Sequence, residues 1–259
     1  MKAEIKENHK GGGLSLKIIK TKDYAELSEV AFRVVQETLE TYDEPSINTT
    51  TGASYDGMFE LLVDAINRGG LRIGHSIFTN LDEYIADREK SFTVYSYMYQ
   101  KFYDLIQSKP KYIGLIDGSI GDIQQEINRY NDVLNKYPRH LQIVGLGVNA
   151  HLGANEPGTS FDSRLFLANS VESTIQSTMK YHGLTRVEAP TQMITMGLAD
   201  IMDAKHILVA SSGVRKAQAV KDTLEGPIEE GCPASILQRH PSVTFIMDEE
   251  AASLLSKHY

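Results

Sequence analysis

The chain reads as an α/β protein: a single domain with a Rossmann-like, mostly parallel sheet and helices on both faces. Three observations predict this. Short β-favouring runs alternate with longer segments of helical period. Alternation of that kind buries a parallel sheet between two layers of helices. The 259 residues also contain no internal repeat, low-complexity tract or Pro/Ser-rich linker that would divide them into separate units.

In chain order, strands are expected at residues 14–19, 47–50, 76–79, 112–116, 141–144, 192–196, 207–210 and 243–247. The helix expected over 24–42 carries Ala31, Val34, Val35 and Leu39 on one face. The helix over 55–67 gathers Met58, Phe59, Leu62 and Ile66. Residues 92–106, 120–134, 214–224 and 249–256 repeat the pattern. The first 13 residues are charged and end in Gly11, Gly12 and Gly13, so they are expected to form a flexible lead to a domain spanning 14–259.

Apolar residues make up 41% and charged residues 23%, enough to build a core within an ordinary globular surface. A net charge of −8 argues against broad contact with nucleic acid or an anionic membrane, both of which need a basic face. It leaves room for a local basic pocket that takes a small anion. Cys232 is the only cysteine, so no intrachain disulfide forms. No secretory h-region and no membrane-length apolar run is present, and a cytoplasmic protein is the default expectation. A homo-oligomer is left open.

In such a sheet, ligands collect beyond the carboxyl ends of the strands, which directs attention to four loops. "TTTGASYDG" (49–57) sets hydroxyls and a glycine before a helix N-terminus, where free N–H groups and the dipole suit a phosphate. It lacks the Lys-Ser/Thr pair of a Walker loop, and Thr51 and Ser54 could equally be plain helix caps. "TNLDEY" (79–84) puts Asp82 and Glu83 side by side at a strand end, so one of them is expected to face a shared cleft. There it serves as a general base if burial raises its pKa; otherwise both are solvated loop acids. "SSGVRKAQAV" (211–220) places Arg215 and Lys216 in a first helical turn, where cations are disfavoured unless an anion joins them.

The remaining loop, "GLGVNAHLGANEPG" (145–158), satisfies the glycine spacing of a dinucleotide-binding turn through Gly145, Gly147 and Ala150. That turn needs a helix to begin inside the fingerprint. Gly153, Asn155, Pro157 and Gly158 argue against one. An irregular loop holding an imidazole, His151, and a carboxylate, Glu156, is the better reading.

At these residues the chain resembles the glucosamine-6-phosphate deaminase (isomerase) family. "GLGVNAHLGANEPGTSFDSR" is similar to its Gly-x-Gly-x-Asp/Asn-Gly-His-Ile/Leu-x-x-Asn-Glu-Pro stretch, "TNLDEY" to its Asn-Met-Asp-Glu-Tyr, and "TTGASY" to its Thr-Gly-Gly/Ala-Thr-Pro phosphate loop. The likeness continues through "TMGLADIMDAKHILVASSGVRKAQAV" and "PASILQRHPSVTFIMDEEA". It implies a cofactor-independent and metal-free enzyme that turns an amino-sugar 6-phosphate into a ketose 6-phosphate with hydrolytic release of ammonia. By position, Asp82 would move the C2 proton to C1, His151 would open the pyranose ring, and Glu156 would hold and tune that histidine. Thr51, Gly52, Ala53 and Ser54 would cradle the phosphate, with Lys216 and Lys180.

Departures from the family pattern bear on the substrate. Asn149 stands where the glucosamine branch usually carries Asp. An amide orients an imidazole without neutralising its charge, and with His-Leu-Gly it points toward the galactosamine-6-phosphate branch. Ala150 replaces a family glycine, and Ser54-Tyr55 replaces Thr-Pro. Phe166 and Ala168 stand where allosterically activated hexamers carry basic residues, so no activation by an N-acetylhexosamine phosphate is expected. Two other readings stay open: a non-catalytic sugar-phosphate sensor, and an isomerase or lactonase for another sugar phosphate.

Overall fold

A computed structural model describes residues 4–10, 14–257 and Tyr259. Strands β1 (Glu4–Lys10) and β2 (Leu14–Thr21) lead into helix α1 (Tyr24–Thr41), whose N-cap Asp23 accepts from the Glu26 amide at 3.0 Å. Then come β3 (Ser46–Thr49), α2 (Asp56–Asn67), β4 (Ile77–Asn80), β5 (Asp82–Tyr84) and α3 (Val94–Met98). Next are β6 (Tyr112–Gly114), α4 (Ile123–Lys136), β7 (Leu141–Gly145), β8 (Phe166–Asn169) and α5 (Glu172–His182). The chain closes with β9 (Gln192–Thr195), α6 (Leu198–Met202), β10 (His206–Ser211), α7 (Ala217–Glu225) and β11 (Ser242–Asp248).

Eight strands form the main sheet in the order β1-β2-β11-β10-β7-β3-β4-β6. All neighbours pair in parallel except β1, which runs antiparallel to β2. Successive side chains of the central strands alternate between two apolar layers. Ile18, Val144, Val209 and Phe245 face one layer; Ile19, Ile143, Leu208 and Ile246 face the other. On one face α1, α2 and α3 supply Leu27, Val35, Phe59 and Met98. On the other, α4, α6 and α7 supply Tyr130, Ile201 and Val220. This is the α/β sandwich the alternation predicts.

Five expectations need correction. The lead over residues 1–13 is not uniformly loose: Glu4–Lys10 pairs along the free edge of β2, from Glu4 with Lys20 to Lys10 with Leu14. Met1, Lys2, Ala3 and the three glycines lie outside the described residues. The charged "EIKENHK" lacks the apolar alternation that marks a strand, so only backbone pairing reveals it. The strand expected over 192–196 exists, but in a separate antiparallel sheet, β5-β9-β8. The helix expected over 92–106 divides. It opens as α3 and widens to a π turn over Tyr99–Tyr103, where the Asp104 amide reaches back to the Tyr99 carbonyl at 2.9 Å. The helix over 214–224 begins as a 3₁₀ turn, Val214–Lys216, before α7. Residues 249–256 make turns instead of a helix. Asp248 Oδ1 takes the Ala251 amide, and the Glu225 carboxylate takes the Ser256 and Lys257 amides, drawing the tail onto the end of α7.

Candidate active site

The carboxyl ends of the parallel strands open into a cavity of about 740 Å³, within the range of a small-molecule site. Thr51, Gly52, Ala53 and Ser54 line it between β3 and α2, Asp82 from β5, and His151 from the loop after β7. Arg215 and Lys216 line it from the 3₁₀ turn after β10. Four separate strands therefore deliver residues to one space.

The loop before α2 does not use its hydroxyls as caps. Tyr55 occupies the cap position with no side-chain hydrogen bond to the helix, which removes the plain-cap reading of Thr51 and Ser54. The loop is held from outside instead. The Tyr24 hydroxyl donates to the Ala53 carbonyl at 2.7 Å and accepts from the Gly57 amide at 2.9 Å. Tyr55 is fully buried, and its hydroxyl bonds the Val144 carbonyl at 2.8 Å, so the Tyr that replaces the family's proline anchors this loop to β7.

Asp82 and Glu83 point to opposite sides of β5, as adjacent strand residues must. Glu83 turns away from the cavity and accepts the amides of Tyr84, Val94 and Tyr95 at 2.7–2.9 Å, tying β5 to the start of α3. Asp82 lines the cavity while only 7% exposed. Burial pushes its carboxyl up to about 7, with the nearby His151 ring pulling the other way. Asn80 braces the strand from its buried position: its Nδ2 donates to the Asp82 carbonyl at 2.8 Å and its Oδ1 accepts the Ile116 amide at 2.9 Å.

The glycine-rich loop is shaped around His151. A Cβ on Gly147 would lie 2.4–2.5 Å from three atoms of the His151 ring, so only glycine lets the ring lie across the backbone there. Short bonds close the loop on itself, from Gly147 N to the His151 carbonyl at 2.9 Å and from Ala150 N to the Gly147 carbonyl at 3.1 Å. No helix begins here, and the glycine spacing belongs to a histidine seat and not to a nucleotide turn. Ala150 sits at φ 63°, a left-handed conformation that glycine adopts more readily than alanine.

The imidazole has a fixed orientation. Asn149 Nδ2 donates to Glu156 Oε2 at 2.7 Å, which turns its Oδ1 toward His151 Nδ1, also at 2.7 Å. Nδ1 therefore carries a proton, and Nε2 is the nitrogen left for acid–base work. Glu156 Oε1 lies 3.5 Å from the same Nδ1 and accepts from the Thr174 hydroxyl at 3.2 Å. Burial works to raise the Glu156 carboxyl, but the hydrogen bonds from His151, Asn149 and Thr174 and the charge of the ring outweigh it and hold it low.

Lys216 Nζ donates to the Leu146 carbonyl at 2.6 Å, and burial beside Arg215 lowers its pKa. The turn that carries it is clamped by Asp248, which accepts the Gly213 amide at 3.0 Å. Of the residues singled out by sequence, Thr51, Gly52, Ala53, Ser54, Asp82, His151 and Lys216 all line the cavity. Asn149 and Glu156 meet His151 from behind its ring. Lys180 does not join them: it sits exposed on α5 and is absent from the cavity lining. Thr174, Tyr84 and Tyr24 are lining residues to which sequence reasoning gave no part in the site, and Arg215, singled out with Lys216 as a cation awaiting an anion, lines it too. Arg215 carried a signal, a cation in a first helical turn; Thr174 carried none, because α5 shows no apolar stripe. Among the described residues no cluster of His, Cys, Asp or Glu has the makings of a metal site, and no helix is long and apolar enough to cross a membrane.

Comparison with known proteins gives a consistent picture. Residues 21–246 match the family model described as glucosamine-6-phosphate isomerases/6-phosphogluconolactonase. The chain is 36% identical over 245 residues to a glucosamine-6-phosphate deaminase of Bacillus cereus, covering 94% of this chain and 90% of the relative. It is 36% identical over 243 residues to the deaminase of Bacillus cytotoxicus, covering 93% and 90%. A solved monomeric glucosamine-6-phosphate deaminase superposes with a TM-score of 0.88 at 33% identity, over 92% of this chain and 99% of that one. A 6-phosphogluconolactonase of Trypanosoma brucei shares the fold at a TM-score of 0.71 and 18% identity, over 92% and 98%.

Proposed function

The chain belongs to the glucosamine-6-phosphate isomerase/6-phosphogluconolactonase family, and on that premise we propose that it is a deaminating isomerase converting glucosamine 6-phosphate and water to fructose 6-phosphate and ammonia. One observation carries the reading. A buried carboxyl with a pKa near 7, Asp82, faces the same cavity as an imidazole whose Nδ1 is tied back by Asn149, leaving Nε2 to act. An aldose–ketose shift asks for that pair, a carboxylate that moves a proton between carbons and a near-neutral acid–base group at oxygen.

The sugar phosphate sits with its phosphate on residues 51–54 beside Lys216, where loop N–H groups and a cation converge. His151 Nε2 transfers a proton at the ring oxygen and opens the pyranose. Asp82 removes the C2 proton to give an enediolamine and returns it to C1. The resulting imine at C2 is hydrolysed by water, which releases ammonia and leaves the ketone. Glu156 and Asn149 act behind the ring, keeping its tautomer and stabilising its charged form. The chemistry asks for no metal or organic cofactor.

Asn149 keeps the galactosamine 6-phosphate epimer as a second substrate in this reading. The test is release of ammonia and ketose phosphate from both epimers. Turnover of glucosamine 6-phosphate supports the proposal, and faster turnover of the C4 epimer reassigns the branch. Thermal stabilisation by both sugars with ammonia from neither makes the protein a sensor and overturns the enzymatic reading.

A further inference from the structure

A second cavity, of about 370 Å³, opens at the opposite end of the main sheet, beside the amino ends of β2, β7, β10 and β11. Four side chains on its wall carry N–H or N⁺–H groups. They are Lys17 of β2, His140 just before β7, Lys205 just before β10, and His206, the first residue of β10. Glu37 of α1 is its one carboxylate. Among the described residues neither lysine forms an ion pair. In a chain of net charge −8, two lysines without ion pairs, set against the single carboxylate of Glu37, leave this hollow with a local excess of positive charge.

The donors are held in place. The Ser46 amide donates to His140 Nδ1 at 3.0 Å, so that ring carries its proton on Nε2. His206 Nδ1 pairs with the Ser242 hydroxyl at 2.7 Å, which fixes the second ring. Tyr42 stacks on His140 with centroids 3.9 Å apart, and Lys205 Nζ lies 4.9 Å from the centre of the Tyr42 ring. Desolvation, together with the charges of His240 and Lys17, holds His206 down to about 4, as expected where cations crowd without an anion.

We infer that this cavity is an anion site, separate from the catalytic cleft, which takes a small phosphate-bearing molecule. A phosphate offers three acceptor oxygens to the two ammonium groups and the imidazoles beside them, where a carboxylate offers only two. The volume falls within the range of small-ligand sites, roughly 300–1,000 Å³. The two cavities lie at opposite ends of the same strands. β7 runs from beside His140 to Gly145 and β10 from His206 to Ser211, a separation of roughly 15–20 Å at the rise of a β-strand.

The test uses the full chain, with inorganic phosphate as the probe and the imidazole NMR resonances of His140 and His206 as the readout. The inference predicts saturable shifts of both resonances. In a Lys17→Ala/Lys205→Ala variant of unchanged Tm, apparent affinity drops by about tenfold or more, the weight of at least one charge-assisted hydrogen bond. A hexose 6-phosphate run in parallel distinguishes free phosphate from a phosphate monoester as the tighter ligand, either result supporting the site. Shifts that grow linearly and are matched by chloride at equal ionic strength would overturn the inference, as would an affinity the double variant leaves unchanged. None of these readouts depends on whether the chain deaminates an amino sugar.

Discussion

Asn149 uses both ends of its amide, accepting from His151 Nδ1 and donating to Glu156. In the sequence it is a departure that orients the imidazole without neutralising its charge. In the structure it spares Glu156 a like-charged neighbour at hydrogen-bond distance, so the negative charge behind the ring falls to Glu156 alone. Asp82 and Glu83, whose carboxyls burial pushes up to about 7 and about 8, share the pH dependence. The folded pKa of Asp82, about 7, lies above the ordinary carboxyl value, so its contribution to stability is complete below that ordinary value and is lost as pH rises through about 7. Thermal denaturation followed from about pH 6 to about pH 8 should show Tm falling, and Asp82→Asn should reduce the slope to the part due to Glu83; an equal slope in both proteins would remove Asp82 as a source. On the phosphate side, Lys216→Ala should weaken substrate binding by about 1.5–3 kcal/mol, the worth of a charge-assisted contact, read as a raised KM. An unchanged KM would take Lys216 out of the site.

At the scale of elements, apolar content and not length decided what the sequence made plain. The eight strands expected from apolar runs are all present, because a strand covered on both faces must be apolar throughout. β1 and β5 are charged or polar runs without an apolar signature, and β8 is a short edge of the small antiparallel sheet. α5 has 11 residues, yet among its described side chains only Ile175 and Thr178 are buried, and its sequence carries no apolar stripe. The irregular loop after β7 was legible for the opposite reason, since its glycines and proline exclude a helix. Its shape gives a direct prediction. Gly147→Ala puts a Cβ within 2.5 Å of the His151 ring, so kcat should fall sharply while the fold persists in circular dichroism. Wild-type turnover in that variant would mean that the ring does not need its present seat.

For the whole molecule, the parallel sheet explains why residues far apart in sequence act together. Each crossover returns the chain to the same edge, so the loops at residues 51–54, 145–158 and 212–216 all reach one cavity. The small antiparallel sheet adds the proposed base: β5 leaves β4 after a single residue, Leu81, and carries Asp82 across to pair with Thr195 of β9. Sequence located those loops through residue types and family likeness. It could not reveal that β5 belongs to a second sheet, that Glu83 locks α3, or that Thr174 reaches Glu156, since each depends on contacts between distant segments. The account rests most heavily on Asp82 as the group that moves the proton between carbons. Ammonia release from glucosamine 6-phosphate by Asp82→Asn, set beside substrate binding by calorimetry, tests it most directly. The prediction is binding within a few-fold of the wild type and turnover reduced by about 10²–10⁴, the range of a lost general base; turnover near the wild-type rate would contradict it.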